Sequence, residues 1–268
     1  MANDLYEVYA IRYATIDRNA SENFIGGDPH EAAGRLDYFV WLVRNDSRTF
    51  LVDTGFGALA AKRRGREFLL PPRAGLSRLG VAAGAVDDVI VTHLHYDHAG
   101  GLDEYANARI HLQDRELNYA TGRHMREQFF SHSFEVDEIC GVVHDVYRGR
   151  VEFHDGDAEL APGLSVHLIG GHTMGIQCVR VKTAVGFIVL ASDAAHYYAN
   201  MEQVRPFPIV FHLGDMVAGF RRLRELADAP QLVVPGHDPL VMQRYPSAGS
   251  GLDEIAVRLD REPRLPQK

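Results

Sequence analysis

Short runs crowded with apolar and β-branched residues, separated by polar turn residues, recur along most of the chain. Residues 38–43 and 49–53 flank Arg44-Asn-Asp-Ser-Arg48, and two such runs around an Asn-Asp-Ser turn predict a β-hairpin. Further strands are predicted at 88–92, 109–112, 151–153, 164–168, 177–182, 187–191 and 231–235. A helical period replaces them at 214–227, where Met216, Val217, Phe220, Leu223 and Leu226 fall opposite Arg221, Arg222, Arg224 and Glu225. A second helix is expected at 76–83. Between the two groups of strands, about 113–150 reads as a helical insertion with Met125, Phe129, Phe130, Phe134, Ile139 and Tyr147 set among charges. It is read as an amphipathic helical pair, the alternative being a cover that walls a pocket. Strands in two groups, each accompanied by helices, predict an α/β fold of sheets covered by helices in a single domain over 1–268. After 246 a Ser-Ala-Gly-Ser-Gly run and a charged end read as a peripheral tail.

Composition narrows the partners. The 268 residues carry 36 acidic and 28 basic side chains, a formal charge of -8, which argues against nucleic acid or an anionic membrane surface as partner. The longest apolar run, about 186–191, is too short for a membrane span. Asp4, Glu7, Arg12, Asp17 and Arg18 interrupt any signal-like core in the first twenty residues. Cys140 and Cys178 form no Cys-rich pattern, so no disulfide framework is expected. The expectation is a soluble cytoplasmic protein acting on a small molecule, with a homodimer left open.

The chemistry lies in the histidines, of which there are 14. Val91-Thr-His-Leu-His-Tyr-Asp-His-Ala-Gly-Gly101 follows a predicted buried strand directly and places His93, His95, Asp97 and His98 where the strand gives way to a loop. Three imidazoles and a carboxylate at this density suit a borderline cation such as Zn²⁺. Alternation along an extended segment would let His93, His95 and Asp97 converge while His98 points elsewhere, suggesting a second metal. Four ligands cannot complete two sites, and His172, Asp193 and His237, each following a predicted strand, supply the remainder. Most of His30, His111, His124, His132, His144, His154 and His167 read as surface residues.

With these motifs in hand the sequence resembles the metallo-β-lactamase superfamily. The match runs in order through Leu51-Val-Asp-Thr-Gly55, the His93–His98 motif, Gly171-His172-Thr173, Ser192-Asp193-Ala194 and Pro235-Gly236-His237. The resemblance implies an αββα sandwich with two divalent metal ions, most readily Zn²⁺, at one edge. By the same resemblance His93, His95 and His172 look like the ligands of one metal, Asp97, His98 and His237 like those of the other, with Asp193 bridging and Asp53 supporting the loops. Thr-His-Leu-His-Tyr-Asp-His-Ala-Gly-Gly, Gly-His-Thr-Met-Gly-Ile and Ser-Asp-Ala-Ala-His-Tyr place it nearest the quorum-quenching N-acyl-homoserine lactonase branch. The implied activity is opening of a lactone ring by a hydroxide bridging two metals, with Asp97 and Asp193 in the machinery. That branch places a tyrosine three residues after the bridging aspartate, against the substrate carbonyl. Here the position is His196, with Tyr197 next, and either stands as the donor. Phe207, His212 and Arg205 are candidate substrate contacts, Arg205 for a substrate carboxylate. The alternatives are hydrolysis of another acyl bond, as in a glyoxalase II-like thioesterase or a cyclic amide hydrolase, and a metal-dependent binding module without turnover.

Overall fold

Thirteen strands lie among the described residues, 4–28, 30–31 and 34–264 of a computed structural model. The first sheet collects β1 (Glu7–Arg18), β2 (Gly34–Arg44), β3 (Thr49–Val52), β4 (Glu67–Phe68), β5 (Asp88–Ile90), β6 (Arg109–Gln113) and β7 (Val151–His154). The second contains β8 (Ala158–Ala161), β9 (Leu164–Leu168), β10 (Gln177–Thr183), β11 (Gly186–Ser192) and β12 (Val233–Pro235), after which β13 (Ala256–Arg258) returns to the first. The orders are β13-β1-β2-β3-β5-β6-β7, with β4 paired to β1, and β12-β11-β10-β9-β8. Both sheets are mixed: β3, β5, β6 and β7 run parallel, as do β11 and β12, and the other pairings are antiparallel.

Side-chain alternation sorts the first sheet into two apolar faces. Val8, Ala10, Phe39, Trp41, Val43, Phe50 and Val52 join Val166, Val179, Val181 and Ile188 in the core between the sheets. Tyr9, Ile11, Val40, Leu42, Leu51 and Val89 face the other way, against Leu76, Ile139 and Val142 of the covering helices. Helix Leu213–Leu226 packs on β11 through Met216, Phe220 and Leu223. The result is an αββα sandwich. The hairpin forms with Arg44 opposite Thr49, and its turn closes on the Asn45 side chain, which accepts from the Ser47 and Arg48 amides.

Several elements depart from the sequence reading: β4 and β8 join β1 and β13 as strands that were not predicted, and the helix expected at 76–83 runs over Pro72–Arg78. The twelve-residue β1, not predicted, is a central strand whose buried faces on both sides blur the alternation, and Arg12 and Asp37 pair across it. A bulge between Arg12 and Ala14 turns Tyr13 so that its hydroxyl donates to the Asp97 carbonyl at 2.8 Å. The segment after 246 is not peripheral: β13 pairs with β1 and buries Ala256, Val257 and Leu259, because the edge of β1 needs a partner. Between β6 and β7 the chain is helical at Asp114–Ala120, Gln128–Ser131 and Val136–Tyr147.

Candidate metal centre

The chain leaves β3, β5, β9, β11 and β12 at one edge of the sandwich, and each exit delivers a polar side chain. His93 and His95 follow β5 in extended backbone. A helical turn, Tyr96–Ala99, then begins, and it breaks the alternation expected for Asp97. Asp97 is thereby turned away from His93 and His95 and toward His98 and His237, whose Nε2 atoms lie 3.8 and 3.9 Å from its Oδ2. His172 follows Gly171, which has a φ of +92° and lies against the Met216 backbone so closely that a Cβ would collide with it.

Asp193 organises the group. Its Oδ2 lies 3.3 Å from His172 Nε2 and 3.8 Å from His93 Nε2. Its Oδ1 lies 3.1 Å from His98 Nε2 and 2.9 Å from His237 Nε2. One carboxylate thus offers a different oxygen to each of two histidine groups. The ligand atoms of His93, His95, His172 and Asp193 lie within 4.8 Å of one another, as do those of Asp97, His98 and His237.

Outer partners fix the rings. The Nδ1–H groups of His172 and His237 donate to the Ile209 and Asp37 carbonyls at 2.8 and 2.7 Å, so each Nε2 presents a lone pair to the centre. His98 Nδ1 meets Asp53 Oδ2 at 2.7 Å, and Asp53, held at a φ of 59°, also accepts from the Thr92 amide and hydroxyl. His93 Nε2 and His172 Nε2 both lie 3.0 Å from His95 Nδ1. Burial, reinforced by the neighbouring imidazoles, pushes His93 and His95 well below the ordinary imidazole range, so both rings are neutral and each keeps one nitrogen with a free lone pair. Against the desolvation that opposes it, Asp193 is held well below the usual carboxylate range by His196, His237 and His98. Converging lone pairs and an ionised carboxylate repel in a buried site until a cation lies among them, so the donor set fits two metal ions.

A cavity of about 150 Å³ opens over the ligands. His196 lines it, with Nε2 3.0 Å from Asp193 Oδ2 and its ring stacked on Phe207 at 3.4 Å between centroids. Burial pushes the His196 imidazole down to about 3, so the ring is neutral at physiological pH. Tyr197 is not in the cavity: its hydroxyl donates to the Arg35 carbonyl at 3.1 Å and its ring packs on Phe24. Arg205 is also elsewhere, forked onto Glu31 at 2.9 Å and lying over Phe24, because β11 leads Asp193 inward while the chain twelve residues later has returned to the surface. His212 is exposed and caps helix Leu213–Leu226 by accepting from the Asp215 amide.

Other residues join the site, some from the insertion whose alternative reading was a cover walling a pocket. His132 and Ser133 line the cavity and Phe134 packs on His95, so the helical segment before β7 supplies part of the wall. The buried carboxylate of Glu116 accepts from the Leu94 amide at 2.9 Å, the Thr173 hydroxyl at 2.6 Å and the Gly175 amide at 3.0 Å. An acid in the first turn of a helix that follows a strand neighbouring the ligand strand is the one hint the sequence carried.

A shared edge where one acid divides two histidine groups is a His/Asp cluster that could hold two metal ions in an αββα fold. The chain belongs to the metallo-beta-lactamase superfamily, which it matches over residues 33–246. It is 27% identical over 219 residues to the N-acyl homoserine lactonase AiiA of Bacillus thuringiensis subsp. kurstaki, covering 76% of this chain and 82% of that one. A probable metallo-hydrolase of Mycobacterium tuberculosis is 25% identical over 236 residues, covering 76% and 75%. Among solved structures, a quorum-quenching N-acyl homoserine lactone lactonase superposes with a TM-score of 0.75 at 24% identity, covering 89% of this chain and 95% of that one. The dizinc quorum-quenching lactonase AidC, in complex with a product, gives 0.69 at 18%, covering 87% and 88%. No helix among the described residues is long and apolar enough to cross a membrane.

Proposed function

We propose that this protein is a dinuclear-metal hydrolase that opens a lactone ring, a reading supported by lactonase relatives across three quarters of the chain. The observation that carries it is the division of Asp193, one oxygen toward His93 and His172 and the other toward His98 and His237, beneath a cavity that holds His196. Two divalent cations bound there supply Lewis acidity toward an acyl oxygen and a water acidic enough to ionise near neutral pH. Zinc suits the donor set of five histidines and two aspartates.

The chain's own groups do the rest. Asp53 and the Asp37 and Ile209 carbonyls hold the His98, His237 and His172 rings with their lone pairs aimed inward. Asp97, mostly buried beside His98 and His237, is placed to hold a proton as the ring opens. His196, neutral and locked flat against Phe207, directs its one N–H to Asp193 Oδ2 at 3.0 Å, so it orients that carboxylate from the position where the lactonase branch has a phenol. The free thiols Cys140 and Cys178 suit a reducing compartment, and we place the protein in the cytoplasm.

The test joins metal content to turnover. Asp193→Ala and His95→Ala are each expected to lose bound metal and at least a thousandfold in lactone hydrolysis together. Loss of metal with full activity ends this account.

A further inference from the structure

Beyond the metal ligands, the walls of the active-site cavity are cationic. Asp97 and Asp193 are the only carboxylates lining it among the described residues, and Arg18, Arg64 and Arg66 line it as well. Two of these arginines have acidic company. Arg64 forks onto Glu135 at 2.7 and 3.0 Å, and Arg18 lies 4.0 Å from the Glu22 carboxylate while donating to the Glu22 carbonyl.

Arg66 differs. Its Nε donates to the Tyr96 hydroxyl at 3.1 Å and its Nη1 to the Arg64 carbonyl at 2.6 Å, both neutral acceptors, and no carboxylate among the described residues pairs with it. Asp97 acts on it only through space, being turned toward His98 and His237. Tyr38 and Tyr96 beside it are phenols, uncharged at neutral pH, so neither supplies a negative charge. A guanidinium never gives up its charge, and this one stands half-buried over the Tyr38 ring with no carboxylate bonded to it, so an anion entering the cavity finds its charge unneutralised. Its two bonds also fix its plane, so its Nη2 edge is preorganised for a ligand.

We propose that Arg66 is a carboxylate-binding subsite, so that the lactone opened here is an acidic lactone and not a neutral acyl-homoserine lactone. The proposal rests on the lactone reading above and adds the charge of the substrate. One uncommitted guanidinium matches a monoanion. The cavity opens to solvent and is lined by both the ligand cluster and Arg66, so one substrate can meet the two at once. In this arrangement the lactone carbonyl lies toward the ligand cluster and His196, and the carboxylate lies toward Arg66.

The test uses metal-loaded enzyme with γ-butyrolactone-γ-carboxylic acid and its neutral methyl amide, in parent, Arg66→Met and Arg66→Lys proteins. The parent is expected to prefer the acid by tenfold or more in kcat/KM. Arg66→Met should abolish that preference mainly through KM, and Arg66→Lys should keep part of it, in line with the usual worth of a charged hydrogen bond. An independent arm measures glutarate against butyrate binding by calorimetry. The parent should favour glutarate, whose second carboxylate reaches Arg66, and Arg66→Met should not. Preferences in Arg66→Met equal to the parent's in either arm overturn the subsite. Absence of all lactone turnover with the glutarate preference intact removes the lactone reading and leaves the subsite standing.

Discussion

Replacing Glu116 with glutamine tests whether the ligand loops are held by one buried acid. Its Oε1 takes the amide of Leu94, the residue between His93 and His95, and its Oε2 takes Thr173 and Gly175, which follow His172. Three imidazoles that reach the centre from two different sheets therefore hang on a single carboxylate. An amide has one acceptor oxygen, so in either orientation an NH2 group is pressed against a backbone N–H that has lost its acceptor. Losing at least one hydrogen bond to a charged group and leaving a buried donor unpaired costs about 3 kcal/mol. Space offers no escape, because a Cβ at Gly175 would already strike the Glu116 backbone, so the loop and helix cannot shift apart without losing their fit. With the rings free to tilt, affinity for the metal at His93, His95 and His172 should fall about 10–100-fold, the usual effect of removing a group that orients ligands. Zinc affinity by chelator competition and stability by urea unfolding of the metal-free protein check the two effects separately. If Glu116→Gln unfolds more easily yet binds zinc as tightly as the parent, the carboxylate does not position the ligands and the reasoning fails.

Two further outcomes follow from packing and burial. Burial, with Glu135 adding to it, pushes the Glu138 carboxyl up to about 8, whereas in the unfolded chain it titrates near about 4.3. The stability contributed by its protonated form is complete below about pH 4.3 and is lost as pH rises through about 8. Glu138→Gln should therefore gain on the parent across that window and stay ahead above it, by about 2 kcal/mol after allowance for partial solvent contact; denaturant midpoints at pH 4 and pH 9 that differ from the parent's by the same amount would refute this. Ending the chain at Pro246 removes β13 and the buried Val257 and Leu259, and with each such side chain worth about 1.5–3 kcal/mol the loss should be about 3–6 kcal/mol. A truncated protein with the parent's urea midpoint would show that the edge of β1 needs no cover.

What the sequence disclosed depended on how local each signal was. The clustering of the His and Asp candidates was legible because each follows closely on a strand, and strand direction and pairing bring those ends to one edge. Asp97 shows the limit: its grouping with His98 and His237 depends on a helical turn beginning at Tyr96, which residue alternation cannot foresee. Strand β1 was hidden because Glu7, Arg12 and Asp17 read as solvated, whereas Arg12 is spent on Asp37 and Glu254 and Glu7 on Arg44 and Arg258. Arg205 drew notice through its closeness in sequence to Asp193. The arginines that do line the cavity come from the end of β1 and the approach to β4, far away in the chain, and a lone arginine there carries no mark of its destination.

The return of β13 to β1 also sets an order of assembly. Glu7 and Arg258, which hydrogen-bond across that edge, are 251 positions apart. During synthesis β1 can pair with β2 almost at once, and at Ala14 and Thr15 with β4, but the stretch Tyr9–Ile11 of its other edge stays open while the entire second sheet is being made. A growing chain thus carries an unpaired strand edge through most of its time on the ribosome, and the final contact is the slowest kind to find. The charges along β1 that concealed it from sequence reading, Glu7, Arg12 and Asp17, are the residue types that discourage edge-to-edge association with a neighbouring nascent chain during that interval.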